Sequence, residues 1–208
     1  MTHRSSHNTS SGFILVEMIV STALFSVAVL ILVGALIVLT DGSRKARTQR
    51  AAIDNLSAAI EGMSRAIRVG STYHCGDDTV VLYTVPKSCP FAGGGAGPSS
   101  VFAFEPTDGI PGIDADQWVY GLNMSGVNPG VIERSRDNGA TWQAITALNP
   151  EMNISKLDFY VENSVPDLTQ PRVTMVIRGE SGIKTKTKTD FTIQTSITQR
   201  MPNFNLTP

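Results

Sequence analysis

The sequence predicts an α+β protein: one long N-terminal helix whose second half packs on an antiparallel β domain. Three observations carry this. Residues 13–40 carry a single charge, Glu17, in 28 positions. Apolar residues then recur at helical spacing as far as Ile67. Beyond Gly70 the chain changes to short β-type runs separated by turns.

Bulk composition excludes several classes. With 41% hydrophobic and 17% charged residues and a formal net charge of −1, the chain is neither disordered nor collagen-like. It also lacks the strongly basic field of a nucleic-acid binder, so no nucleic acid is expected as a direct partner. Charge is distributed in three regimes. The apolar run is almost uncharged. Residues 43–68 are basic, with Arg44, Lys45, Arg47, Arg50, Arg65 and Arg68 against Asp54 and Glu61. From residue 70 onward ten Lys and Arg face fourteen Asp and Glu.

Residues 1–12 are short, polar and rich in Ser, Thr, Asn and His, and read as a leader or tail. Met18 to Leu39 is 22 residues without a charge. As a helix it would extend about 33 Å, enough to cross a bilayer and too long for an ordinary secretory signal. A membrane-spanning or filament-core helix is therefore expected over 13–40. Its amphipathic continuation over 41–69 places Ile53, Leu56, Ile60, Met63 and Ile67 on one stripe, and Gly70 stops it.

The β domain is expected over 70–208. Candidate strands are Thr79–Val85, Val101–Phe104, Gln117–Leu122, Val131–Arg136, Thr141–Ile145, Ile154–Val161, Arg172–Arg178 and Phe191–Thr198. The run Lys184–Thr189 alternates Lys with Thr, as a solvent-facing edge strand does. Cys75 and Cys89, with thirteen residues between them, are a candidate disulfide. In an oxidising compartment that bond adds about 3 kcal/mol; in the cytoplasm free thiols are the alternative.

No constellation argues for catalysis or a cofactor. The segment GGGAGPSS ending at Ser100 lacks the Gly-Lys-Ser/Thr of a phosphate-binding loop. His74 beside Cys75 reads as an ordinary loop histidine, because sequence neighbours rarely form a nucleophilic pair. Asp108, Asp114 and Asp116 read as solvated turn carboxylates ahead of a calcium site. The stretch from Ser135 to Trp142, SRDNGATW, fits the Asp-box pattern of sialidases and other propellers. Here Asp137-Asn138-Gly139 suffices as a hairpin turn with Trp142 beneath it.

The junction SSGFILVEMIV holds the chain's most specific motif. A carboxylate inside an apolar run is costly and is by default functional. Gly12, Phe13 and Glu17 resemble, position for position, the signal of type IV pilins and the pseudopilins of type II secretion. Those precursors have a polar leader ending in Gly, then a hydrophobic helix with Glu as its fifth residue. The basic amphipathic stretch and strand-rich domain are similar in pattern to minor pilins and J-type pseudopilins.

The resemblance implies cleavage between Gly12 and Phe13 by a prepilin peptidase, and methylation of the new Phe13 amine. It also implies assembly with other pilin subunits through the N-terminal helix, where Glu17 meets the Phe13 amine of a neighbour. No cofactor is implied. The implied location is the cytoplasmic membrane, single-pass, with the domain outside, and then a pilus or pseudopilus. Ser11 stands where the family commonly has Lys or Arg. The flanking charges by themselves point the domain inward, since four basic residues follow the run by Arg50 and only Arg4 precedes it. The alternative is a single-pass anchored extracytoplasmic binding domain that is never cleaved.

Overall fold

The computed structural model describes residues 15–76, 85–90, 97–110, 112–126, 130–146, 152–164, 169–182 and 188–200. A single helix, α1 (Leu15–Val69), precedes eight strands. These are β1 (Ser71–Cys75), β2 (Val101–Glu105), β3 (Trp118–Leu122), β4 (Ile132–Ser135), β5 (Gln143–Ala144), β6 (Met152–Glu162), β7 (Arg172–Ser181) and β8 (Thr189–Thr198). The architecture is the expected α+β. By contacts the chain divides into two compact units, 1–44 and 45–208.

Within the second unit the strands form two antiparallel sheets. One has the order β1-β2-β3-β4-β5 and the other β6-β7-β8. Their inner faces share a core with the last part of α1. Leu56, Met63 and Ile67 of the helix meet Tyr73, Phe102, Phe104, Tyr120 and Ile132 of the first sheet. Leu157, Phe159, Met175 and Ile177 enter the same core from the second sheet. Phe102 joins the two sheets by stacking on Phe159, with ring centroids 5.3 Å apart. On its opposite face the first sheet buries a smaller cluster, Val101, Ala103 and Val119, against Trp142 and Met124. The strand VFAFE is buried on both faces for that reason.

The helix stripe differs from expectation by about one residue. Ala52, Leu56, Ala59, Met63 and Ile67 are buried, whereas Ile53 is 53% exposed and Ile60 packs only at the margin. At about 100° per residue, two alanines turn the buried face away from Ile53. Alanine suits this face because small side chains let the helix approach the aromatic rings of the sheet.

Strand β1 was not anticipated, because STYHC follows the helix at once and does not alternate. Thr72 takes a left-handed φ of 51°, and the register to β2 shifts between Ser71 and His74. The expected strand at Thr79–Val85 lies outside the described residues except for Val85. A bulge also explains β6. Its register to β7 shifts between Ile154 and Lys156, so the inward residues run Ile154, Leu157, Phe159, Val161 instead of strictly alternating. Residues 184–187 of the expected lysine-rich edge are outside the described set. Strand β8 itself pairs with β7 without interruption over ten residues.

His74 is corrected by the structure. It is fully buried in β1, with Nδ1 2.7 Å from the carbonyl of Val85, and is not a loop histidine.

Candidate functional site

The apolar part of α1 is exposed along its length. Leu15, Leu30 and Leu39 are each at least 70% accessible, and the most hydrophobic window has no buried residue. By length and composition α1 can cross a membrane. Helical backbone satisfies its own N–H and C=O groups, which an apolar medium requires. Local side chains follow the same rule. Thr22 Oγ1 donates to the Met18 carbonyl at 2.9 Å, Ser26 Oγ to the Thr22 carbonyl at 2.8 Å, and Thr40 Oγ1 to the Ile37 carbonyl at 2.8 Å.

Glu17 has no such accommodation. It sits in the first turn of α1, where the helix dipole favours a negative charge, and it makes no ion pair among the described residues. Gly12 and Phe13 lie outside the described residues. The site therefore consists, as described, of a carboxylate at the start of an all-round apolar helix.

The cysteines are brought together. Cys75 and Cys89 form a disulfide with their Cα atoms 5.9 Å apart. The bond spans the two sheets: Cys75 belongs to β1, whereas the Cys89 amide donates to Val161 of β6 at 2.8 Å and its carbonyl accepts from the Val161 amide at 2.9 Å. This staple was not legible in the spacing, which says nothing about which sheet each cysteine joins.

A scan against protein-family models and searches of curated proteins and solved structures find no match to this chain.

The Asp-box-like stretch forms the β4–β5 hairpin. Asn138 and Gly139 both take positive φ, at 56° and 87°, as the central pair of a tight turn closed by the Ala140 amide on the Asp137 carbonyl. Asp137 accepts from the Thr141 amide at 2.8 Å and from the hydroxyls of Ser135 and Thr141 at 2.6 and 2.5 Å. These bonds hold its carboxyl down at about 2. These three bonds all lie inside the turn, so the box acts as a brace. Among the described residues no group of three or more His, Cys, Asp and Glu is arranged to hold a metal ion. Asp116 instead accepts the Ile110 amide at 2.7 Å.

Proposed function

We propose that this chain is a pilin-like structural subunit with no catalytic role, most similar to a minor pilin or J-type pseudopilin. It inserts into the cytoplasmic membrane through residues 13–40 and is cut by a prepilin peptidase between Gly12 and Phe13. It then assembles with other pilin subunits through the apolar part of α1, with its β domain outside.

One observation carries this reading: Glu17 is the only charge in the 28 residues from Phe13 to Thr40, and it stands five residues after Gly12. An isolated carboxylate at that depth needs a compensating cation. The amine freed at Phe13 would supply one from a neighbouring subunit. The helix around it exposes apolar side chains on all sides, as a segment built to pass from lipid into a helical bundle must.

Mass spectrometry of the N-terminus of the protein made in peptidase-containing cells tests the reading. The expected terminus is a methylated Phe13. A retained Met1 or Thr2 terminus removes it in favour of the uncleaved anchor. The flanking charges, with Arg44, Lys45, Arg47 and Arg50 on one side of the apolar run and Arg4 on the other, point the domain inward and favour neither reading.

A further inference from the structure

A groove of about 320 Å³ opens between α1 and the β4–β5 ribbon, bounded by Ala58, Gly62 and Met63 on the helix and by Tyr120, Arg134 and Gln143 on the sheet. Its helical wall is low. Ala58 and Gly62 are exposed, and the space beside Gly62 is empty for at least 4 Å. Its charge is positive. Arg134 and Arg136 both lie against the Trp118 ring, at 5.1 and 4.8 Å from its centroid. Arg134 Nη2 donates to Gln143 Oε1 at 3.1 Å, and its guanidinium also faces the Tyr120 hydroxyl. Among the described residues no carboxylate pairs with either arginine. Arg134 is only partly buried, and a carboxylate is the group that fits the accessible part of its guanidinium.

The same chain carries a complementary knob. The connection from β2 to β3 presents Ile110 and Ile113, 60% and 42% exposed, beside Asp108 and Asp114. Neither aspartate forms an ion pair among the described residues. This connection is fixed at the C-terminal end of α1, where Thr107 Oγ1 donates to the Val69 carbonyl at 2.9 Å. Ala58 of the groove lies about 16 Å back along the helix, at about 1.5 Å per residue. Knob and hole are thus different surfaces, set apart along the helix axis.

We infer that the groove receives the Asp108–Ile110 and Ile113–Asp114 knob of a second copy of this chain. The isoleucines fill the apolar floor and an aspartate accepts from Arg134. Because the two surfaces differ, the contact is heterologous and repeats in one direction, as a filament requires and a closed two-fold dimer does not. The inference rests on the assembly reading above and names the contact its domains would make.

Two differently tagged full-length copies, one Gln143→Cys and the other Ile110→Cys, test it after co-expression and oxidation. The mixed product should exceed the Gln143→Cys homodimer several-fold. Arg134→Glu should lower its yield about tenfold, and Asp108→Arg with Asp114→Arg in the other copy should restore it. Ala58→Trp, at an exposed helix position, should block the hole without disturbing the core. Retention of the Cys75–Cys89 bond checks folding of each variant. Equal yields with Arg134→Glu, a dominant Gln143→Cys homodimer, or no mixed product between copies that co-purify would each overturn the inference. A mixed product from chains that retain Met1 or Thr2 would leave this contact standing and remove the processed-subunit reading. Processed chains without a mixed product would do the reverse.

Discussion

Gly70 lies directly against the ring of Phe104. A Cβ built on Gly70 would sit 2.8 Å from Phe104 Cε2 and 3.0 Å from the Glu105 carbonyl oxygen. The Gly70 amide closes the helix on the Ala66 carbonyl at 3.0 Å, and its own carbonyl accepts from Gln199 Nε2 at 2.9 Å. Helix end, first sheet and the residue after β8 therefore meet at a backbone with no room for a side chain. Gly70→Ala should cost about 1–3 kcal/mol by overpacking, and Gly70→Val more. Denaturant midpoints of the full-length protein in detergent check this; an unchanged midpoint for the alanine variant contradicts the packing argument.

Two carboxyls should give stability opposite pH dependences. Glu105 is 3% exposed, and burial, reinforced by the charge of Asp116, raises its pKa. A raised folded-state value means a contribution complete below the ordinary glutamate range and lost as pH rises through the folded value. Asp137 is held at about 2 by its hydrogen bonds, so its contribution is present above the ordinary aspartate value and lost as pH falls toward 2. Glu105→Gln should therefore stabilise at pH 7, on the order of 1 kcal/mol, and flatten the decline as pH rises above the ordinary glutamate range. Asp137→Asn should flatten the decline below pH 4. Melting temperatures across pH 2–8 for both variants measure each slope, and matching slopes in variant and parent would refute the assignment.

Breaking the disulfide should loosen the domain. The closed loop has a sequence separation of 14 residues, for which chain entropy gives about 3 kcal/mol. Cys75→Ala with Cys89→Ala should lose about that much, and reductant should have no further effect on the double variant. Hydrogen exchange should localise the change to the Cys89 and Val161 amides, which hold Cys89 on β6. Uniform loss of protection across both sheets would show that the bond acts only on the unfolded chain.

If the chain is the processed pilin-like subunit proposed above, Glu17→Ala should leave the cut after Gly12 intact and reduce incorporation into filaments tenfold or more. About 1.4 kcal/mol of lost pairing already gives that factor. Immunoblots of sheared filaments against whole-cell lysate make the comparison. Normal incorporation would remove the charge-pairing role from Glu17.

Much of this fold was readable because it rests on local rules. The lone charge in a long apolar run, the stop at Gly70 and the alternation in β7 and β8 are each consequences of neighbours in sequence. What escaped depends on distant partners. The helix stripe slipped because Ala52 and Ala59 are valuable only where aromatic rings approach. Strand β1 was hidden by a left-handed Thr72, whereas β6 was expected over Ile154–Val161 and only its bulge was not. The division into two sheets, the burial of His74 and the convergence of Arg134, Arg136 and Trp118 have no counterpart in spacing along the chain. At the candidate site, Glu17 was evident from its isolation, whereas the pairing of the cysteines across two sheets was not.

The outer rail of β8 has a practical meaning. Residues 191–198 carry no charge and no proline, and among the described residues only β7 hydrogen-bonds to the strand. Such a rail is a template on which another extended chain can grow. Preparations of this protein should therefore fail by concentration-dependent, seedable β-stacking that begins at a surface already folded, so that dilution and short storage will protect them better than added stability.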